Sequence, residues 1–193
     1  MDQRNEYSKK AIREALIRLS RTKPYTEISV RELCREAKVS RSTFYNNYRF
    51  FNDVVVEMSE AYMEKLRGRR LTREFFDSLK DEGDELKLLL DSGMFGREFS
   101  LYLREIVQEE ISAIHQRDPG DISVNVATLY HAFGIFGVLQ NLLAVQGEPR
   151  IKEEVYRRGI DTLMEIIESF TDPPSLRPYT RLAAARGNSI WSY

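Results

Sequence analysis

From Ile122 to Gly147 the chain runs for 26 residues without an Asp, Glu, Lys or Arg. A charge-free stretch of that length fits a helix crossing a bilayer, or a helix buried within a protein or between two copies of it. Asn125, Thr128, His131, Gln140 and Asn141 place polar groups along it, and no second span accompanies it. A buried or dimer-interface helix is the expectation, with no membrane association. Only ten Gly and six Pro occur in 193 residues, and 42% of the chain is hydrophobic, so an all-α chain with a core is expected.

Helical periodicity places the remaining elements. Ile12, Ala15, Leu16 and Leu19 share one face of a helix over about 7–21, with Arg13 and Arg18 outside. Pro24 ends it. Ser29-Val30-Arg31-Glu32 reads as a capping box opening a short helix to Ala37, and Ser40 can cap a third helix with Thr43 at its N3 position. Further helices are expected at about 52–67, 72–82, 84–92, 97–116, 122–146 and 150–170. RGRR, Gly83, Ser92-Gly93, the turn Asp118–Asp121 and Gly147-Glu148-Pro149 separate them.

The net charge of −1 conceals a division. Residues 1–50 hold twelve Lys/Arg against six Asp/Glu, an excess of six positive charges, whereas residues 51–193 hold seventeen against twenty-four. A basic head on an acidic body suits a small polyanion-binding module joined to a different domain. In that head two short helices joined at Lys38-Val39 lie behind a longer one, the order of a helix-turn-helix. On the third helix Phe44 and Tyr48, four apart, are expected inward with Val39. Arg41, Ser42, Tyr45 and Asn46 then face out. Arg can grip guanine and Asn adenine, while hydroxyls suit phosphate oxygens.

The segment AIREALIRLSRTKPYTEISVRELCREAKVSRSTFYNNYRFFNDVV, about residues 11–55, resembles the TetR-type (TetR/AcrR) transcriptional regulators. The likeness lies in an apolar first helix, a Tyr before the capping Thr/Ser, and an apolar-x-x-A-x-V-S turn. A T-[FL]-Y-x-x-[FY] recognition helix follows, with an apolar residue six positions on, here Val54. Three positions depart from that pattern. Lys38 replaces the usual turn glycine, Ser42 replaces a frequent glycine, and Phe51 replaces a phosphate-binding lysine for which Arg49 is the candidate substitute.

The resemblance implies an N-terminal three-helix DNA-binding domain (1–50) and a helical ligand-binding and dimerisation domain (51–172); the remaining stretch (173–193), basic through Arg177, Arg181 and Arg186 and without clear periodicity, is expected to be a tail that is disordered or not native. DNA contacts would fall on Ser29, Arg31, Arg41, Ser42, Thr43, Tyr45, Asn46 and Asn47. It implies a homodimer through the helices at about 122–146 and 150–170, with Gly134-Ile135-Phe136-Gly137 allowing close approach, and so a palindromic site on double-stranded DNA. An effector pocket would draw on Phe95, Phe99, Tyr102, Tyr130, His131, Phe133, Phe136 and Gln140. The expected function is a repressor modulated by a small molecule of unknown identity.

Other classes find less support. Glu109-Glu110 and the acidic run at 81–85 read as solvated surface, and no glycine-rich phosphate loop or nucleophile–base pair is visible, so no enzyme is expected. Two His and one Cys leave no metal set and no cofactor is implied. The single Cys34 and an N-terminus without an apolar run suggest a reducing, cytoplasmic setting. The alternative is a TetR-like helical adaptor that acts through protein partners without strong operator binding.

Overall fold

A computed structural model of the protein describes residues 3–145 and 147–168. Among the described residues there are nine α-helices, one short 3-10 turn and no strand. The helices are α1 (Gln3–Ser20), α2 (Val30–Ala37), α3 (Arg41–Asn47), α4 (Phe51–Leu66), α5 (Arg73–Asp81), α6 (Gly83–Asp91), α7 (Met94–His115), α8 (Ile122–Ala144) and α9 (Pro149–Glu168). The 3-10 turn, Tyr25–Glu27, follows Pro24 and is not anticipated by periodicity. Gln146, the end of the expected last helix at 169–170, and the tail at 173–193 lie outside the described residues.

The helices sort into two compact units. The first holds α1 to α4, α6 and the opening turn of α7. Its core is Ile12, Ala15, Leu16, Leu33, Phe44, Val54, Met58, Tyr62, Leu86 and Phe95, each almost wholly withdrawn from solvent. Arg13, expected on the outer face of α1, is partly covered, because Glu57 of α4 receives its guanidinium at 2.6 Å. Leu19 and Val39, expected inward, are half-buried.

Expected boundaries shift where backbone conformation differs from the simple breaker rule. Gly83 is not a separator: it is the first residue of α6, and the interruption falls at Glu82. Helix α7 begins at Met94 rather than about residue 97, since Gly93 adopts φ +74 and turns the chain in one step.

The second unit holds α5, the rest of α7, α8 and α9. Phe75, Phe76, Phe99, Leu103, Val107, Val124, Ala127, Ile135, Leu139, Ile160 and Leu163 form its core. Tyr156 of α9 is buried and donates its hydroxyl to the Phe76 carbonyl at 2.8 Å, which fixes α9 against α5. Helices α8 and α9 meet closely at Gly159, where a Cβ would stand 2.5 Å from a Leu142 methyl. Helix α8 is long and apolar enough to cross a membrane by length and composition, yet 44% of its most apolar window is buried inside the protein.

Candidate nucleic-acid interface

The short helices of the first unit are set by their ends. Ser29 Oγ accepts the Glu32 backbone N–H at 3.2 Å, and the Glu32 carboxylate accepts the Ser29 backbone N–H at 3.0 Å, completing the capping box. The same carboxylate receives Lys23 Nζ at 2.7 Å. Hydrogen bonds from Lys23 and from Ser29 hold Glu32 down at about 2.

Lys38 closes α2 in the left-handed conformation, φ 55 and ψ 38, as expected of the position that usually carries glycine. Its N–H reaches the Arg35 carbonyl at 3.3 Å, and that of Val39 reaches the Cys34 carbonyl at 3.0 Å. Ser40 then caps α3 by accepting the Thr43 N–H at 2.9 Å. Three residues therefore suffice to join α2 to α3.

On α3, Phe44 is fully buried and Tyr48, its C-cap, is 4% exposed. Arg41, Ser42, Tyr45 and Asn46 are exposed. The Tyr45 ring stands edge-on to Phe44 at 5.3 Å, so its orientation is set from beneath. Two of the residues expected to contact DNA are less exposed. Thr43 is half-buried with its hydroxyl on Ser40 Oγ at 2.8 Å, and Asn47 is half-buried with Nδ2 donating to the Thr43 carbonyl at 2.8 Å. Short polar side chains compete for nearby backbone groups in this way, although Asn47 Oδ1 is buried with no hydrogen-bond partner among the described residues. On α2, Arg31 is exposed, whereas Ser29 already gives its hydroxyl to Glu32 at 2.8 Å.

Charges in this unit are sorted by helix. On α1 and just beyond it, Lys9 and Arg13 pair with Glu57, Arg18 with Glu36, Arg21 with Asp84 and Lys23 with Glu32. Arg31, Arg35, Lys38, Arg41 and Arg49 have no carboxylate at ion-pair distance among the described residues. Glu32 and Glu36 follow Arg31 and Arg35 in sequence, but adjacent side chains on a helix do not face each other. In space both acids turn toward Lys23 and Arg18, at 2.7 and 2.8 Å. Arg31, Arg35 and Lys38, spaced four and three apart, are left as a cationic stripe along α2. Arg35 and Lys38 are thus candidate contacts that sequence reasoning missed, because only the fold shows which cations the nearby acids engage.

Glu57 anchors this arrangement. It takes Lys9, Arg13 and, at 3.1 Å, the Tyr48 hydroxyl. Burial alone would raise its pKa, but the hydrogen bonds from Lys9, Tyr48 and Arg13 outweigh that and hold it below the usual carboxylate range. Burial and the Glu57 charge push the Tyr48 phenol upward.

The residues expected to line an effector pocket include both buried and exposed side chains. Phe95 lies in the first unit, edge-on to Tyr62 at 5.5 Å. In the second unit Phe99 stacks on Tyr102 and tilts against Phe136, each with ring centres 6.2 Å apart. His131 is half-buried, and desolvation lowers it to about 4, so it is neutral near pH 7. Tyr130 is 68% exposed, Phe133 61%, and Gln140 is exposed as well, so these three line no interior wall of the protomer. Their outward side on α8 follows from the 3.6-residue period, which cannot distinguish two opposite faces of a helix that is apolar all round. Among the described residues no group of three or more His, Cys, Asp or Glu converges as a metal site.

No known family model matches the chain, and no curated protein matches it.

Proposed function

We propose that the protein is a sequence-specific DNA-binding transcriptional regulator of the TetR type. Helices α1 to α3 serve as its helix-turn-helix head, and α3 reads the major groove. The charge sorting carries this reading. Lys9, Arg13 and Arg18 of α1 engage acids within the unit, while Arg31, Arg35, Lys38, Arg41 and Arg49 have no carboxylate at ion-pair distance among the described residues, and Ser42, Tyr45 and Asn46 are exposed on α3. Desolvating five unpaired cations against apolar protein would be costly, whereas a polyanion gains from releasing its counter-ions. Arg41 and Asn46 supply base-reading chemistry and the others supply backbone contacts.

The helical body is the dimerising half of the regulator. Ile122, Val126, Leu129, Tyr130 and Phe133 form an exposed apolar stripe on α8. Gly134 and Gly137 continue it, and a Cβ at either would meet nothing within 4 Å, which leaves room for a second copy. Covering that stripe by its twin explains both a charge-free helix and its exposure in one protomer. The Phe99–Tyr102–Phe136 cluster, with His131 on the same helix as Phe136, is the ground for a small-molecule effector that relieves repression.

An electrophoretic mobility shift with the DNA flanking the protein's own gene tests the reading. A retarded band at low salt that survives excess unrelated duplex is expected. Absence of any sequence-selective band would favour the adaptor alternative.

A further inference from the structure

Between α3 and α4 the chain is pinned on both sides of one arginine. Before it, Tyr48 is buried and donates its hydroxyl to Glu57 at 3.1 Å. After it, the Phe50 N–H is held by Asp53 Oδ2 at 2.7 Å, so the acid caps α4 in the absence of a capping side chain at Phe50 itself. Arg49 lies between them, exposed, with its guanidinium carbon 5.1 Å from the centre of the Phe50 ring. No carboxylate engages it among the described residues.

Phe50 is 60% exposed at the mouth of a helix, a place where a small capping residue is the ordinary choice. A large ring left in water there gains nothing from burial in the protomer. What it does is hold a cation: an aromatic face attracts a guanidinium and removes part of the rotational freedom that a free Arg would lose on meeting its ligand. Held near the ring and exposed, a guanidinium can offer two N–H donors to two oxygens of one phosphate.

We propose that Arg49 is a phosphate anchor and that Phe50 is the positioning residue that holds its guanidinium ready for the DNA backbone. This rests on the DNA-binding reading and adds to it how one of its backbone contacts is positioned. The link that carries Arg49 is short and fastened on both sides. Because its ligand is a phosphate, Arg49 adds affinity and register but no base preference.

The test uses the full-length protein and a labelled mixed-sequence DNA duplex, with binding followed by fluorescence anisotropy across about 50 to 200 mM salt. One phosphate contact per protomer corresponds to a slope change of about 0.9, hence roughly 2 for a dimer, in the plot of log affinity against log salt. R49A is expected to flatten the slope by that amount while R49K retains it. F50A is expected to weaken binding with the slope nearly kept, F50L to behave like F50A, and F50W to restore wild-type affinity. Circular dichroism establishes that each variant is folded. A wild-type slope in R49A overturns the anchor. Equal affinity of F50L and F50W overturns the aromatic platform. Wild-type protein with no salt-dependent binding would remove the DNA reading itself, and the inference with it.

Discussion

The Tyr48 hydroxyl donates to Glu57 Oε1 at 3.1 Å, joining the last residue of the α3 segment to the middle of α4. Glu57 also receives Lys9 and Arg13 from α1, so one carboxylate fastens three helices of the first unit. The exposed face of α3 is therefore presented from a support fixed at its C-terminal end.

Removing that hydroxyl should loosen the support without emptying the core. Y48F keeps the ring, which lies 5.6 Å from Phe44, and loses the hydrogen bond to a charged acceptor. A loss of roughly 1–2 kcal/mol in unfolding free energy is expected from urea titration. E57Q, which weakens three partners at once, should cost at least as much. Equal stability of Y48F and wild type would show that the contact is idle.

Acid should attack the same unit from a second carboxylate. Glu32 falls from 4.5 to about 2 through its bonds from Lys23 and Ser29. A lowered folded pKa means that the unfolded chain takes up its proton first as pH falls. The stabilisation is complete above about pH 4.5 and disappears progressively toward pH 2. Thermal melts followed by circular dichroism should show E32Q losing part of the pH dependence in that window. A variant with the full wild-type acid profile would contradict the assignment.

Lys38 holds φ 55, a conformation that costs a side-chain-bearing residue about 1 kcal/mol or more. K38G is expected to raise stability by roughly 0.5–1 kcal/mol in denaturant titration, the relief being offset in part by added freedom in the unfolded chain. It should also weaken DNA binding modestly, since one unpaired cation of the α2 stripe is lost.

Phe133 is 61% exposed on the apolar stripe of α8. F133D should leave the protomer folded yet place an unpaired charge in the interface, a penalty of roughly 3 kcal/mol, or about 100-fold in dimer dissociation. Sedimentation equilibrium should then show a monomer at concentrations where wild type is dimeric. An unchanged assembly would place the interface elsewhere.

Much of the fold is legible in the sequence because its signals are local. The Ser29–Glu32 box and the Ser40 cap are each written within four residues, and both stand as expected. Signals that depend on distant partners are not legible. Arg13 is drawn inward by Glu57, forty-four residues away, and the acids beside Arg31 and Arg35 serve other cations. Thr43 and Asn47 share the polar character of Ser42 and Asn46, and only the rotation of a seven-residue helix separates the half-buried pair from the exposed one. For α8, an apolar surface all round conceals which side is core, so Tyr130, Phe133 and Gln140 were assignable to a pocket and are found outside.

The groove-reading role of α3 is tested most directly by selecting bound duplexes from a random pool, using wild type and R41A in parallel. Wild type should enrich an inverted repeat whose half-sites are centred about one helical turn or slightly more apart. R41A should bind it more weakly by roughly 1–3 kcal/mol and lose preference at one position in each half. Recovery of no motif above the starting pool would contradict the account.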